Sequence, residues 1–327
     1  MKISYHTVKD NLDVSRGFGA AGFRVVTSLQ KLGHDVPFDD PTAPVQISFN
    51  HPHAYKFHKG QYRIGYTPWE STELPKEWIK MMNECDEVWA TSSWTADVFD
   101  LNGVNNVHVY DHGLDERWQP AHRQIGDTIK FLHVGEPALR KGGQMAIDAF
   151  LHLFEGRDDV HLTVKAYGQN YLRSWQGGVF SKPKYDNITI IDENMFFSEL
   201  QQLYYDHDVL IYPSYGEGFG LLPLQALGTG MPVISTDAWA PYQKYLGPLA
   251  LDGRWDRSLW PIHPGEVYYP NFENLLSIMS RLGNNRDYVQ EMHDHYFSQA
   301  EKVHYEYDWL RKTEEAFSHV VDRFTKS

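Results

Sequence analysis

A carboxylate stands immediately before a glycine-rich turn in residues 212–235, which read YPSYGEGFGLLPLQALGTGMPVIS. The turn leads into a run with helical spacing, and a helix that starts there would present free backbone N–H groups and a positive dipole end to an anion such as phosphate. Glu217 would repel a phosphate, but its oxygens could accept hydrogen bonds from sugar hydroxyls. The segment therefore predicts a ligand that combines a diphosphate with a sugar.

The elements that must hold this turn are visible in the same stretch. Val209–Tyr212 is a short β-branched and aromatic run, typical of a buried parallel strand. Residues 221–227 have helical spacing, with Pro223 in the first turn, and Gly228 followed by Gly230 ends the helix. The pattern predicts a strand, a turn and a helix in succession, with the turn at the carboxyl end of the strand.

The sequence EGFGLLPLQALGTGMPVIS resembles the signature E-G-F-G-x-P-x-x-E-A-x-x-x-G-x-P-V-I of retaining, nucleotide-sugar-dependent glycosyltransferases of the two-domain GT-B type (family 4-like, group 1). The resemblance implies a catalytic role for Glu217, which would position sugar hydroxyls, and donor binding by the next four residues, Gly218, Phe219, Gly220 and Leu221. The second glutamate of the signature, which holds the ribose hydroxyls in the family, is Gln225 here, and its neutral amide is a weaker acceptor. Because Glu217 lies in a loop, we expect its replacement by alanine to abolish transfer with only a modest effect on folding.

Two cations follow another predicted strand, residues 129–134, in the turn GEPALRKGG. A lysine at such a turn is placed to neutralise a diphosphate leaving group, and the triplet R-K-G that contains Lys141 matches the family pattern. The family usually has an arginine soon after the strand glycine, where this chain has Glu136. Either Arg140 replaces that arginine as a catalytic group, or Lys141 and the helix that begins near Gly220 stabilise the leaving group without it.

The N-terminal half opens with a similar unit, consisting of a predicted strand at residues 3–5, a loop at residues 9–22 and a helix at about residues 20–32. The loop carries Gly17 and Gly19. The resemblance implies that these glycines lie over the donor and bind it. On the residues alone, a plain tight turn explains them equally well.

Three polar residues of this half are candidates for contacts with the acceptor or the transferred sugar. His51 and His53 follow the predicted strand at residues 45–49, where the family often has a histidine that reaches the transferred sugar. Satisfied histidines in a surface turn are the alternative. Glu70 lies in the sequence WESTELP, which resembles a subset of bacterial and bacteriophage members of the family, and it would contact the acceptor or cap a helix.

The length of 327 residues suggests two domains. The resemblance implies an α/β GT-B fold, in which Rossmann-like domains of residues 1–122 and 123–304 carry parallel sheets that face each other across a cleft. Residues 305–327 are predicted to cross back as a helix and to complete the first domain. Residues 170–186 are interpreted as an exposed insertion, and the long aperiodic stretch 238–267 is expected to contact the acceptor or another subunit.

The composition limits the partners. Lys and Arg number 30 against 43 Asp and Glu, and the net charge of −13 without a basic run disfavours binding of nucleic acid through its phosphates. The sequence has no apolar run of the length of a signal peptide core or a membrane span, which predicts a cytoplasmic protein. The single cysteine, Cys85, permits no internal disulfide and is interpreted as a core thiol.

The predicted activity is the retaining transfer of a hexose from a UDP- or GDP-sugar to an acceptor hydroxyl, most simply of a glycan. No metal ion and no further cofactor are expected; Asp206 and Asp208 form a D-x-D pattern but precede a strand and are interpreted as a turn. One alternative is a hydrolase that uses Glu70 and Glu217 as acid and base. Two others are a non-catalytic nucleotide-sugar-binding protein and a transferase that acts on a modified base of phage DNA.

Overall fold

The structure is a computed structural model that describes residues 1–14, 17–136, 138–166 and 186–325. Two parallel sheets dominate it, one in each half of the chain. The insertion predicted at residues 170–186 falls almost wholly outside the described residues. Within these ranges, no helix combines the length and the apolar character that crossing a membrane requires.

The first sheet has five parallel strands in the order of the sequence. Its strands are β1 (Ile3–His6), β2 (Val45–Phe49), β3 (Tyr62–Thr67), β4 (Glu87–Ala90) and β5 (Val107–Val109). The helices of this half are α1 (Gly17–Lys31), α2 (Lys76–Asn83) and α3 (Ser93–Leu101). Every residue of β2 and β4 is buried, as is typical of parallel strands that are covered on both faces.

Helix α1 begins earlier than the sequence predicts. Gly17 and Gly19 lie in its first turn and not in a loop, although glycine is a poor helix former. Phe18 between them packs its ring 5.0 Å from that of Phe49 and 5.1 Å from that of His51, measured between centroids. This packing against the sheet outweighs the low helix propensity of glycine. Sequence patterns describe the propensity but not the packing.

The second sheet has six parallel strands in the order β11-β10-β9-β6-β7-β8. They are β6 (Ile129–Gly135), β7 (Val160–Ala166), β8 (Ile188–Ile191), β9 (Val209–Tyr212), β10 (Val233–Thr236) and β11 (Ala250–Leu251). The helices among them are α4 (Gly143–Phe154), α5 (Phe197–Asp206) and α6 (Leu221–Gly228). The strand order reverses at β6, which pairs with β9 on one side and β7 on the other, and such a reversal opens a crevice at the carboxyl ends of the strands. The turn with Lys141 follows β6 and the glycine turn follows β9, so both lie at this crevice.

An antiparallel hairpin lies in the stretch that the sequence predicts to be irregular. It consists of β12 (Gly253–Arg257) and β13 (Glu266–Pro270). Most of β12 is exposed, so the strand lacks the alternation of apolar and polar residues that would have revealed it. The hairpin reaches the first domain, because the Thr72 backbone N–H donates to the Glu266 carbonyl at 3.0 Å and the Glu266 N–H donates to Thr72 Oγ1 at 2.8 Å.

The chain closes with three helices, α7 (Phe272–Gly283), α8 (Arg286–Glu306) and α9 (Trp309–Thr325). Helix α9 returns to the first domain, as predicted. Phe317 of this helix is buried with its ring 5.9 Å from that of Trp89, and the hydroxyls of Thr313 and Tyr110 are 2.6 Å apart. The last helix is therefore part of the core of the first domain, whereas the boundary near residue 122 stays a prediction.

Candidate active site

Glu217 is the centre of a buried cluster at the crevice. Lys141 Nζ donates to both of its carboxylate oxygens at 2.7 Å. Tyr212 and Ser214 donate their hydroxyls to Oε1 at 2.9 and 2.7 Å, and Arg140 Nη1 lies 3.3 Å from the same oxygen. Because these groups hold the side chain in place, its removal should disturb folding, contrary to the expectation drawn from its position in a loop.

The charges around Glu217 keep it ionised. Burial by itself would raise the pKa of the carboxyl group, but Lys141 and Arg140 outweigh burial and lower the pKa from 4.5 to about 2. A group with this pKa holds no proton at neutral pH and is poorly suited to be a general acid. Glu70 Oε1 lies 3.5 Å from Arg140 Nη2, so both carboxylates face one guanidinium. This geometry argues against a hydrolase with Glu70 and Glu217 as acid and base.

The turn that carries the two cations is fixed to the glycine turn by backbone contacts. The carbonyl of Arg140 accepts hydrogen bonds from the Tyr215 N–H at 2.8 Å and from Ser214 Oγ at 3.2 Å. The guanidinium of Arg140 in turn donates to the carbonyl of Gly216. The positions of the cations relative to the glycine turn are therefore set by the fold and not by side-chain rotamers alone.

The first domain packs directly against the glycine turn. Thr91 and Thr95 donate their hydroxyls to the Gly218 carbonyl at 2.8 and 3.0 Å. A Cβ atom at position 218 would lie only 2.5 Å from Cβ of Pro68. Close approach of the other domain thus requires glycine at this position, whereas its contact with a donor stays a prediction.

The start of α6 offers groups that a nucleotide could bind. Gly220 precedes the helix with a φ of 84°, which favours glycine, and no side chain caps the first turn at Leu221. Gln225 Oε1, in the same helix, is buried and has no hydrogen-bond partner among the described residues. The side chain of Phe219 points away into a cluster with His112, whose ring centroid is 5.4 Å away. An anion at the helix start and a hydroxyl on Gln225 would satisfy both sets of groups.

Comparison with known proteins identifies this half of the chain. Residues 128–245 match the family described as glycosyl transferases group 1, and the matched range contains Lys141, Glu217 and α6. The match places residues 128–245 among the group 1 glycosyl transferases. The resemblance on which the sequence analysis depends is therefore confirmed at the level of the family.

Curated proteins are similar to parts of this chain. Over 177 residues the chain is 29% identical to the lipopolysaccharide core biosynthesis mannosyltransferase LpsB of Rhizobium meliloti (strain 1021), which covers 50% of this chain and 49% of that protein. Over 80 residues it is 35% identical to the O-antigen chain mannosyltransferase RfbU of Salmonella typhimurium (strain LT2), covering 24% of this chain and 22% of that protein. The chain spans about half or less of the length of these relatives.

Solved structures resemble the chain over its whole length. Sucrose-phosphate synthase from Thermosynechococcus elongatus superposes with a TM-score of 0.73 at 12% identity and covers 100% of both chains. WaaG, a glycosyltransferase involved in lipopolysaccharide biosynthesis, superposes with a TM-score of 0.65 at 12% identity, covering 96% of this chain and 99% of that chain. At these identities the likeness concerns the fold alone, and it confirms the predicted two-domain GT-B architecture.

The other predicted contact residues lie in the first domain. Gly17 and Gly19 flank Phe18, whose ring touches His51, so the first turn of α1 lies beside that histidine. His53 is exposed and lines a surface cavity of about 680 Å³ together with Arg63. Neither Glu70 nor Glu217 lines this cavity. The ring of His53 stacks on that of His51 with centroids 6.0 Å apart, so the two histidines lie side by side and their contacts with a sugar stay predictions.

Five polar residues near the crevice were not singled out from the sequence as site residues: Tyr212, Ser214, Thr91, Thr95 and His263. Tyr212 and Ser214 precede Glu217 by five and three positions, and this short spacing is a signal that local reasoning could have used. His263 Nδ1 lies 3.7 Å from Glu70 Oε2, although the two residues come from different domains. No periodicity marks His263, because it lies in the irregular connection between β12 and β13.

Proposed function

We propose that the protein is a retaining glycosyltransferase that moves a hexose from a UDP- or GDP-sugar to a hydroxyl group of a saccharide, without a metal ion. One observation carries the proposal. Arg140 and Lys141 are largely buried and lie against Glu217, and Glu217 is in the turn that leads to the uncapped start of α6. Positive charge at the point where the strand order reverses suits the diphosphate of a nucleotide sugar.

The names of the relatives support the choice of substrates. Both curated relatives are called mannosyltransferases, one of the lipopolysaccharide core and the other of the O-antigen chain. Transfer of a hexose to a saccharide is the activity that these names share. We extend it to this chain as a proposal, since the matched segments cover only part of each relative.

In the proposed reaction, the bond between the anomeric carbon and the diphosphate oxygen breaks, and both electrons leave with the diphosphate. Lys141, Arg140 and the backbone N–H groups of residues 219–221 stabilise the charge that develops on this leaving group. Each such group contributes about 3 kcal/mol in well-studied enzymes. The acceptor hydroxyl attacks from the same face and passes its proton to a phosphate oxygen, so the anomeric configuration is retained.

Glu217 acts in this mechanism mainly through the cations that it positions. Its Oε1 accepts hydrogen bonds from Lys141, Tyr212 and Ser214, whereas Oε2 accepts only from Lys141 among the described residues. A carboxylate oxygen can accept more than one hydrogen bond. We therefore assign Oε2 to a hydroxyl of the donor sugar.

The test begins with thermal shifts in a panel of UDP- and GDP-sugars, followed by hydrolysis of the donor that stabilises the protein most. Lys141→Ala should lower donor hydrolysis by about 100-fold or more, because the leaving group loses its principal cation. The control is Lys302→Ala, which removes an exposed lysine of α8. Donor binding without hydrolysis or transfer would indicate a non-catalytic binding protein. Transfer of labelled sugar only to DNA with a modified base would mean that the acceptor is DNA and not a saccharide.

The absence of a metal requirement is tested in the same assay. Arg140 and Lys141 supply the positive charge that a divalent cation would otherwise bring to the diphosphate. Donor hydrolysis should therefore persist in EDTA and change little when Mg²⁺ or Mn²⁺ is added. Loss of hydrolysis in EDTA with recovery on addition of Mn²⁺ would contradict this part of the proposal.

A further inference from the structure

Three polar atoms without a partner meet where the two domains touch. They are His51 Nδ1 after β2, Glu70 Oε2 after β3, and His263 Nδ1 between β12 and β13, and each is buried without a hydrogen-bond partner among the described residues. Buried polar atoms are nearly always hydrogen-bonded in native proteins. Three unsatisfied atoms from three separate segments therefore indicate a place that a polar ligand occupies.

The spacing of these atoms suits a bridging hydroxyl. His263 Nδ1 and Glu70 Oε2 are 3.7 Å apart, which is too long for a direct hydrogen bond. An oxygen atom at about 2.8 Å from each would connect them. The other oxygen of Glu70 lies 3.5 Å from Arg140 Nη2, so this gap adjoins the cations to which we assign the donor diphosphate.

Aromatic rings surround the same gap. The ring of His51 lies 5.1 Å from the rings of both Phe18 and Trp78, and Trp69 lies 5.2 Å from His263. Trp69 is fully buried behind the others, whereas the side chains of His51, Phe18, Trp78 and His263 are partly exposed. Aromatic surface for C–H groups beside unsatisfied polar atoms for hydroxyls is a combination that fits a sugar ring.

The charges of the site select a neutral ligand. Burial lowers the pKa values of His51 and His263, although Glu70 acts to raise both. Each neutral imidazole offers one donor and one acceptor, as a sugar hydroxyl also does. The unpaired oxygen of Glu70 would repel an anion, so a phosphorylated head group or a nucleic-acid backbone fits this gap poorly.

We propose that Glu70 and His263, together with His51, bind hydroxyl groups of a neutral acceptor saccharide. The inference rests on the proposed function and adds to it that the acceptor saccharide is uncharged and which residues recognise it. The hairpin positions His263 through the two hydrogen bonds between Thr72 and Glu266. Glu70 thus contacts both the acceptor and Arg140, which places the attacking hydroxyl beside the donor.

Binding of simple sugars tests this subsite without any turnover. The probes are the methyl α- and β-glycosides of mannose, glucose, galactose and N-acetylglucosamine, measured by saturation-transfer NMR. Wild-type protein should transfer saturation to at least one glycoside, and His263→Asn and Glu70→Gln should weaken this binding about tenfold or more. His152→Asn and Glu73→Gln, which alter exposed residues, are the matched controls. Wild-type protein without saturation transfer, or variants with unchanged transfer, would overturn the inference.

Kinetics with the active donor separate the subsite from the proposed function. His263→Asn should raise KM for the acceptor glycoside about tenfold, whereas the exposed His152→Asn should leave this KM unchanged. Unchanged KM with normal donor hydrolysis would overturn the subsite and leave the proposed function intact. A wild-type protein that binds sugars at His263 but neither binds nor hydrolyses any donor would overturn the proposed function instead.

Discussion

The ammonium nitrogen of Lys141 lies 2.7 Å from each carboxylate oxygen of Glu217. The two oxygens share this cation evenly, and the contact joins the turn after β6 to the turn after β9. Both side chains are largely buried. In a buried pair, loss of one partner leaves the other charge unpaired, which costs more than the pair itself contributes. The two turns of the second domain are therefore coupled through this contact.

Replacement of Glu217 by Gln should expose this coupling in stability as well as in activity. The pKa of Glu217 in the folded protein is about 2, below its ordinary value of 4.5, so its stabilisation is complete above pH 4.5 and is lost as the pH falls toward 2. Glu217→Gln should lower the free energy of unfolding at pH 7 by about 3 kcal/mol and flatten its pH dependence between pH 4.5 and 2. Urea unfolding at a series of pH values measures both effects.

The matched control for this variant is Glu291→Gln, which neutralises an exposed carboxylate of α8. It should leave the pH dependence of stability unchanged. If Glu217→Gln and wild-type protein gave parallel curves of unfolding free energy against pH, the ion pair with Lys141 would not stabilise the fold.

Gln225→Glu tests whether α6 holds the ribose. The Oε1 atom of Gln225 is buried without a partner among the described residues. A carboxylate at this position would accept stronger hydrogen bonds from hydroxyl groups. Calorimetric titration with UDP or GDP should show affinity that is unchanged or higher. Without nucleotide, the melting temperature should fall slightly, because a buried charge lacks a partner.

The control is Gln243→Glu, an exposed position between β10 and β11 that should change neither quantity. A large loss of nucleotide affinity in Gln225→Glu alone would mean that this side chain does not face the nucleotide.

Local patterns were sufficient to predict the strands that carry the site. The predicted bounds of β2 and β9 agree with the structure, and both strands are completely buried. The proximity of Lys141 to the glycine turn also followed from the sequence, since parallel strands present their carboxyl ends at one edge of a sheet. A family resemblance supplied the division into two domains with parallel sheets, which the runs themselves do not contain.

The environment of individual side chains was not predictable in this way. The burial of Glu217 depends on Lys141 and on the close approach of the first domain at Gly218, and both are tertiary contacts. The contact between His263 and Glu70 joins residues far apart in the sequence, through a hairpin whose exposed strands carry no periodic signal. Such contacts follow from how the domains pack and not from the pattern of any single segment.

A histidine between the domains gives the protein a specific acid sensitivity. His112 is buried with its ring 5.4 Å from those of Phe219 and Trp309, and burial lowers its pKa from 6.5 to about 3. The unfolded chain therefore binds a proton below pH 6.5 that the folded protein does not, and stability falls as the pH drops from 6.5 toward 3. For this one group the loss amounts to about 2 kcal/mol at pH 5.

His112→Phe should keep the aromatic contacts and remove this titration. The slope of unfolding free energy against pH should decrease by about 1.4 kcal/mol per pH unit between pH 6 and 4, measured by urea unfolding. Three other buried histidines also have lowered pKa values and should still contribute to the pH dependence of the unfolding free energy: His133, His207 and His293. The exposed His152→Asn is the control, and an unchanged slope in His112→Phe would show that His112 is protonated in the folded protein.

Phe317→Ala tests whether α9 is an integral part of the first domain. Phe317 is buried with its ring 5.9 Å from that of Trp89, on a strand that is itself completely buried. Removal of a buried phenylalanine costs about 3–5 kcal/mol of unfolding free energy. Because the ring packs on the sheet, hydrogen exchange should accelerate in β1 and β4 as well as in α9. The exposed Ser318→Ala is the control, and acceleration confined to α9 would mean that the last helix docks on a domain that is already stable without it.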